Sequence, residues 1–175
     1  MKSFFLGGKM AVITTAKGDQ ILVDDEDYEW LSGFVWFIRS SGSGKVRYAE
    51  KNDSIGEGRR TKQRMHRLLL GFEYGDRRFV DHINGNGLDN RKENLRVCTR
   101  TQNTWNQGIS SANTSGYKGV SYHKGKGKWQ AGISVNSKRK HLGMFETPEQ
   151  AHQAYCDAAK AMHGEFVNFG ANNKK

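Results

Sequence analysis

Short runs of strand-forming residues, separated by turn residues such as Gly, Ser and Asp, occur in the first part of the chain, a pattern typical of β-strands. These runs predict strands at residues 11–15, 20–23, 34–38, 46–50 and 59–64, of which 34–38 is wholly apolar and 59–64 is strongly basic. Between the second and third of these, Asp24-Asp25-Glu26-Asp27 precedes Trp30 and Leu31. Acids favour the N-terminus of a helix, so this cluster predicts the start of a short helix rather than a metal site.

In the last third of the chain, apolar residues alternate with other residues. Between residues 128 and 136 every second residue is apolar, and strands are also predicted at 117–123 and 140–145. Thr147-Pro148-Glu149-Gln150 then offers an N-cap, a proline at the first helical position and a capping-box glutamine. An alanine-rich helix should follow and end near Gly164. The pattern predicts a three-stranded sheet with one helix packed on it.

Between these regions, residues 79–103 predict a compact strand, loop, strand and helix. Residues 79–83 and 95–98 predict the strands, and Asn84-Gly85-Asn86-Gly87 between them tolerates positive φ angles. Thr99 or Thr101 should cap the short helix. We expect this arrangement to bring Asp81 and His82 close to Asn103 of that helix.

The side chains of this stretch predict a chemistry. The oxygens of Asp81 and Asn103 are hard ligands that suit Mg²⁺, which is held by one or two protein oxygens and keeps several waters. His82 lies next to Asp81 and can take up a proton near neutral pH. One side chain would therefore bind a metal ion while the other activates water.

The order of these residues resembles the HNH endonuclease family, in the branch found in phage and intron-encoded homing enzymes. The resemblance is carried by residues 81–86, 89–96 and 99–103. It implies a ββα-metal site over about residues 79–105 that cleaves DNA phosphodiesters. His82 matches the general base, and Asp81 and Asn103 match the metal ligands. Asn94 matches the middle asparagine, whose side chain braces the loop between the strands. We therefore group Asn94 with His82 as a catalytic candidate. The third family position is an Asn here and not a His, so one Mg²⁺ or Mn²⁺ is expected rather than Zn²⁺.

Three further residues are candidates for this site. His66 belongs to a His-Arg-Leu segment like one that precedes the catalytic strand in the family, and it either assists the reaction, binds phosphate or makes a structural hydrogen bond. Asn90 lies in Leu-Asp-Asn-Arg, which is also ordinary turn chemistry, and Asn106 lies on the predicted helix.

The basic run at 59–64 predicts either phosphate contacts or a solvated face. The leucines at 68–70 are expected to pack against the ββα unit.

The C-terminal region carries a second resemblance. Residues 106–115, rich in Asn, Ser and Gly, predict a flexible linker between domains at 1–105 and 116–170. Segments 115–120, 127–131, 142–145 and 167–169 resemble the Apetala/ethylene-response-factor DNA-binding domain. The resemblance implies a sheet laid in the major groove with a helix behind it. By position, the candidate DNA contacts are Lys118, Tyr122, Lys128, Trp129, Ser134, Lys138, Arg139 and Lys140.

Composition and charge point to the same partner. The chain has 175 residues, a net charge of +10 and a pI of about 9.7, which favours a polyanion such as double-stranded DNA. Residues 1–57 carry 7 Lys and Arg against 9 Asp and Glu, whereas residues 58–175 carry 21 against 9. The two cysteines, Cys98 and Cys156, are expected to be small buried apolar residues. No secretion signal or membrane segment is expected, so the predicted location is the cytoplasm, of the host if phage-encoded.

Together these patterns predict an α+β protein. A β-rich N-terminal region with a ββα-metal nuclease core should be followed by a linker and a three-stranded antiparallel sheet on one helix. The predicted function is a metal-dependent, homing-type DNA endonuclease, nicking or double-strand cutting, a monomer or weak dimer with no small-molecule cofactor. The alternatives are a sequence-specific DNA-binding regulator with an inactive nuclease fold, and an RNA-directed nuclease.

Overall fold

The computed structural model describes residues 9–41, 46–54, 60–135 and 138–170. They form two compact units, residues 1–98 and 99–175. The predicted domain boundaries at 105 and 116 stay a prediction. Residues 59 and 136 of the predicted strands lie outside the described residues. No helix within the described ranges is long and apolar enough to cross a membrane.

The described residues of the first unit form short antiparallel strands, two α-helices and a 3-10 helix at Lys92–Asn94. β1 pairs with β2, β4 lies between β3 and β5, and β6 pairs with β7. The predicted strand at 34–38 begins later because Trp36 turns back to the preceding helix, where its Nε1 donates to the carbonyl of Leu31 at 2.9 Å. The elements are β1 (Met10–Thr14), β2 (Gln20–Asp24), α1 (Asp25–Ser32), β3 (Phe37–Ser40), β4 (Arg47–Ser54), β5 (Arg60–Arg64), α2 (Met65–Leu69), β6 (Phe79–His82) and β7 (Leu95–Cys98).

One apolar core holds the N-terminal strands and both helices of this unit together. Its buried members are Ile13, Ile21, Val23, Leu31, Trp36, Ala49 and Met65. Leu68 and Leu69 pack against this core, whereas the sequence led us to expect them against the ββα hairpin. The reason is that α2 follows β5 directly, so its apolar side continues the side of the sheet that carries Ala49.

The second unit begins with a short helix and continues with the predicted sheet. Thr99 caps α3, with the reciprocal capping box to Gln102 that a Thr-x-x-Gln sequence allows. The sheet order is β10, β9, β8, all antiparallel, which confirms the α+β class. The elements are α3 (Arg100–Asn106), β8 (Val120–His123), β9 (Lys128–Val135), β10 (Lys138–Phe145) and α4 (Pro148–His163).

Helix α4 covers one face of this sheet through small residues. Ala151 packs with Val120 and Ala131, and Tyr155 and Ala159 pack with Ile133. The helix starts at the predicted place, since Thr147 and Gln150 form the capping box and Pro148 is the first helical residue. Neither Cys98, which is buried, nor Cys156 is in a disulfide.

The C-terminal end of α3 is held by residues of the second unit. The Trp105 ring stacks on the His163 ring at 4.4 Å and 11°. The Lys118 ammonium donates to the carbonyls of Trp105 at 2.7 Å and Gln107 at 2.6 Å, and Asn168 donates to the carbonyl of Asn106 at 2.8 Å. Burial lowers the pKa of Lys118 to about 8. These bonds cross the segment predicted as a flexible linker, and its flexibility in solution stays a prediction.

We expect Gly119→Ala to lower the free energy of unfolding of the second unit by about 3 kcal/mol. Gly119 has φ +78°, and an added Cβ would lie 2.6 Å from Cγ of Tyr155 in the core under α4. Gly116→Ala is the matched control, because its φ of +76° brings the same backbone strain while nothing lies within 4 Å. Urea unfolding measures both. Equal losses in the two variants would contradict the packing argument.

Candidate active site

The hairpin of β6 and β7 presents Asp81 and His82 on opposite sides of one strand. Asp81 lies opposite Arg96 in the register, and its Oδ2 accepts from Nε of Arg96 at 2.9 Å and from Nη2 at 2.7 Å. His82 lies opposite Leu95. Both Asp81 and His82 are 5% exposed. A buried carboxylate needs a cation, and Arg96 meets that need across the hairpin.

Asn90, His66 and Tyr48 lie around the His82 imidazole. Its Nε2 lies 3.5 Å from Oδ1 of Asn90. The His66 ring is perpendicular to it at 4.9 Å, and the Tyr48 ring lies 5.8 Å away, at 5.5 Å from His66. The structure therefore brings the two sequence candidates His66 and Asn90 to the predicted base, and adds Tyr48, which the sequence did not single out.

The surroundings disfavour the charged form of both imidazoles. Burial lowers the pKa of His82, and its effect outweighs the contact with Asn90 and the charges of Asp81 and Asp89, which raise it. Burial lowers the pKa of His66 well below its ordinary value, and the neighbouring His82 lowers it further. A neutral imidazole is the form that accepts a proton. Because an amide oxygen only accepts, the Asn90 contact suits the tautomer with hydrogen on Nε2 of His82 and a basic Nδ1.

Asn94 closes the loop between the two strands. Its Oδ1 accepts from the backbone N–H of Asn84 at 3.0 Å, and its Nδ2 donates to Oδ1 of Asn84 at 3.0 Å and to the carbonyl of Asp89 at 2.8 Å. Asn84 in turn donates to Oδ2 of Asp89 at 2.8 Å. This is the brace that the family resemblance implies for Asn94, and its part in catalysis stays a prediction.

The loop is also fixed to the N-terminal part of the first unit. Leu22 of β2 donates to the carbonyl of Leu88 at 2.9 Å and accepts from the N–H of Asn90 at 2.8 Å. The Lys92 ammonium lies 2.7 Å from Glu26 and 2.9 Å from Asp27 in the first turn of α1. The acids that predicted only a helix start thus also hold the loop that carries Asn90.

The glycine at position 87 allows the loop to approach β4. An added Cβ would meet the carbonyl of Arg47 and would lie 2.7 Å from Cδ1 of Tyr48. The same Tyr48 ring contacts His66 and His82. Only a residue without a side chain fits between the loop and this ring.

The Asp81 carboxylate is the donor of this hairpin that suits a divalent ion. Within residues 9–41, 46–54, 60–135 and 138–170, no group of three or more His, Cys, Asp or Glu could hold a metal. The Asp81 carboxylate is a hard oxygen donor, and Mg²⁺ needs only one or two such protein oxygens because it keeps its waters. The donor fits that ion. Asn103 lies half-buried on α3 in the second unit, where Asn106 is buried, and their roles stay predictions.

The register of the second unit's sheet divides the candidate DNA contacts between its faces. Tyr122, Trp129, Lys138 and Lys140 lie on the face that packs against α4 or on its continuation, since they share register positions with Ile133, Val135 and each other. Lys128, Ser134 and Arg139 lie on the open face. That face also carries Ser121, His123, Gln130 and His141.

The cations among these candidates differ in their surroundings. Arg139 is exposed, and its guanidinium extends over Gly132, where an added Cβ would lie 2.9 Å from Nε. Lys128 lies 2.6 Å from Glu146 in an exposed ion pair. Lys118 already donates to the two carbonyls at the end of α3. Of the three, Arg139 is the cation best placed to meet a phosphate.

Sequence reasoning missed Tyr48 and Arg96. Tyr48 lies on β4, and nothing in the local pattern shows that it meets His82, 34 positions away. Arg96 could have been found, because pairing Phe79 with Cys98 in the predicted hairpin places Asp81 opposite Arg96. An acid and a base at opposed positions of two paired strands are typical of a cross-strand ion pair.

Comparison with known proteins gives two matching family models and two similar viral proteins. A family model described as HNH endonuclease matches residues 63–104, and one described as AP2 domain matches residues 115–165. Protein 3.8 of Escherichia phage T7 is 31% identical over 91 residues, which are 52% of this chain and 74% of that protein. An uncharacterized HNH endonuclease of Acanthamoeba polyphaga mimivirus is 29% identical over 155 residues, 86% of this chain and 74% of that protein. No solved structure matches the chain.

We expect Asp89→Ala to destabilise the first unit by about 3 kcal/mol, because it removes the buried carboxylate that pairs with Arg91 and bonds to Asn84. Asp89 is 2% exposed and accepts two bonds of 2.8 Å from Arg91 as well as the bond from Asn84. Glu93→Ala is the control: it removes the other carboxylate bound to Arg91, one that is 70% exposed, and should cost less than about 1 kcal/mol.

Thermal unfolding across pH measures this difference. Arg91 holds the pKa of Asp89 below its ordinary value, so its stabilisation is present above about pH 4 and is lost as the pH falls through the folded-state pKa. The gap between wild type and Asp89→Ala should therefore narrow in acid. A gap that stays constant down to strongly acidic pH would show that the charge of Asp89 is not what matters.

Proposed function

The chain belongs to the HNH endonuclease family and carries an AP2 domain. On this basis we propose that it is a DNA endonuclease, which hydrolyses phosphodiester bonds with one divalent metal ion. HNH nucleases typically use a divalent metal, and both domains imply DNA binding. The observation that carries the proposal is the neutral, buried His82 beside the Asp81 carboxylate on one strand, in a hairpin whose loop is braced from within.

His82 is proposed as the general base. It takes a proton from a water molecule, which attacks the phosphorus while the bond to the 3′ oxygen breaks. Asn90 contacts the Nε2 side of the ring, and His66 and Tyr48 pack against its faces and edges, so the imidazole has little freedom to turn. A fixed base in a neutral state needs no rearrangement before it accepts the proton.

Asp81 is proposed as a metal ligand, with Asn103 as the second ligand that the family resemblance assigns. The bound Mg²⁺ or Mn²⁺ would neutralise the phosphate and stabilise the charge on the leaving oxygen. Arg96 holds the Asp81 carboxylate in one orientation through two bonds to Oδ2.

The AP2 domain is proposed to supply affinity and orientation through the open face of its sheet. A sheet of this size can enter the major groove, where cations contact phosphates and polar side chains contact base edges. Homing activity, and the choice between nicking and cutting both strands, belong to this proposal as expectations from the resemblance. So does action in the cytoplasm of an infected host, since one of the relatives is a phage protein.

The rival function is a DNA-binding regulator with an inactive nuclease fold. A binding module has no use for an imidazole kept neutral by burial next to a carboxylate. The presence of Asp81, His82 and the Asn94 brace together favours the enzyme.

We expect wild-type protein to convert supercoiled plasmid to open-circular or linear DNA with Mg²⁺ or Mn²⁺ but not with EDTA. His82→Ala should lower the rate at least about 100-fold, because general-base catalysis contributes roughly that much or more. Asp81→Asn should weaken the response to metal, whereas Asp25→Asn, on the exposed start of α1, should leave it unchanged.

Gel shifts in EDTA serve as the control for binding. His82→Ala that still binds DNA but does not cut establishes the catalytic role. If the wild type binds the plasmid and a library of duplexes without cutting any of them, the regulator becomes the better account.

We expect Arg139→Gln to reduce DNA affinity and to lower the slope of log K against log salt by about 1, because one phosphate is then no longer neutralised. Lys160→Gln is the matched control, because Lys160 is exposed on α4, behind the sheet. Fluorescence anisotropy over a salt series measures both. Identical slopes in wild type and Arg139→Gln would place the DNA elsewhere on this unit.

A further inference from the structure

We propose that one face of the sheet β3–β4–β5 binds the phosphate backbone of double-stranded DNA beside the catalytic histidine. This inference rests on the proposed function. It assigns a role to a part of the chain before residue 63, which neither family model covers. We call this surface the β3–β5 face and define its exposed cations as Arg39, Arg60 and Lys62.

The strand register places these cations on one side of the sheet. Arg39 lies opposite Tyr48, Lys62 opposite Asn52, and Arg60 opposite Ser54. Directly opposed residues and every second residue along a strand share a face. These six residues, Tyr48 among them, therefore lie on one side of the sheet. The other side carries Ile38 and Ala49, which pack in the core of the first unit. The β3–β5 face is therefore the side turned away from that core.

The cations of the two faces differ in whether a carboxylate neutralises them. On the core side, Arg47 lies 2.8 Å from Asp19, and Lys51 lies 2.8 Å from Asp53. On the β3–β5 face, none of Arg39, Arg60 and Lys62 has an ion-pair partner among the residues that the structure describes. The carboxylate of that face, Glu50, lies 3.1 Å from Arg64. Three exposed, uncompensated cations on one flat surface suit a polyanion.

The same face leads to the catalytic histidine. Tyr48 belongs to it, and the Tyr48 ring contacts the rings of His66 and His82. Arg64, which pairs with Glu50 on this face, lies with its guanidinium over the Tyr48 ring at 4.6 Å. DNA whose backbone follows the β3–β5 face would reach the hairpin that carries the proposed base. The cations would thus position the substrate close to the point of cutting.

A simpler account is that these charges only protect the strands. β3 and β5 are edge strands of their sheet, and charged residues on edge strands prevent association with other sheets. That account gives the cations no reason to share one face or to differ from the paired cations of the other face. It also predicts no effect of their removal on DNA binding, which makes the two accounts separable.

The test compares the triple variant Arg39→Gln, Arg60→Gln, Lys62→Gln with Arg47→Gln in the full chain. Arg47 is an exposed arginine of the same sheet on its other side. Binding of a fluorescent DNA duplex is measured in EDTA over a salt series, and metal-dependent plasmid cutting is measured over a range of DNA concentrations. Melting temperatures show that each variant is folded.

We expect the triple variant to lower the salt slope by about 3, one for each phosphate that is no longer neutralised. It should also raise KM for cutting while kcat stays within about twofold, because the cations position DNA and take no part in the chemistry. Arg47→Gln should match wild type in both measurements. The single charge reversal Lys62→Glu should shift KM in the same direction.

Equal salt slopes and equal KM in the triple variant, Arg47→Gln and wild type would overturn the inference and leave strand protection as the account. The inference is also overturned if the triple variant weakens binding of a fluorescent RNA duplex but not of the DNA duplex. If wild type fails to cut any DNA, the proposed nuclease function fails, but the binding series in EDTA still decides whether the β3–β5 face contacts DNA.

Discussion

The amide of Asn94 makes the hydrogen bonds on which the geometry of the candidate site depends. A long loop joins two short strands there, and its polar backbone is partly buried, so its groups need partners inside the protein. Asn94 bonds both the start of the loop at Asn84 and its far side at Asp89. Because Asn90 follows Asp89 directly, the same bonds hold the side chain that meets His82. The loop thus positions the base through the side chain of Asn90.

Burial then decides the chemistry of the base. A solvated imidazole would be partly protonated near neutral pH, whereas His82 lies among Tyr48, His66 and Asn90, where the charged form is disfavoured. Arg96 gives the buried Asp81 carboxylate an ion-pair partner at 2.7 Å. The two neighbouring residues therefore meet different surroundings, because the strand turns them to opposite sides. This division is what a base and a metal ligand require.

Local patterns predicted the elements well and the contacts between distant elements poorly. The capping boxes at Thr99 and Thr147 are short-range features, so the sequence shows where both helices start. The strand after α1 starts later than predicted, because the Trp36 indole bonds back to the helix, and this tertiary contact overrides the apolar run at residues 34–38. The Tyr48 contact depends on how two sheets pack, which no window of sequence reports. Residue chemistry and the family resemblance both pointed to His82 and Asp81, whose roles stay proposals.

Net charge counted along the sequence has the same limit, because it does not report which charged residues pair in the folded unit. By count, the first 57 residues are slightly acidic, which suggested that the DNA-binding part of the chain begins later. The folded unit uses those acids internally: Asp19, Glu50 and Asp53 pair with cations of the strands, and the acids at the start of α1 hold the loop through Lys92. What remains for a partner is set by the cations that are left over and by the face on which they lie. Net charge along the sequence averages over these pairs, whereas a phosphate meets only the surface.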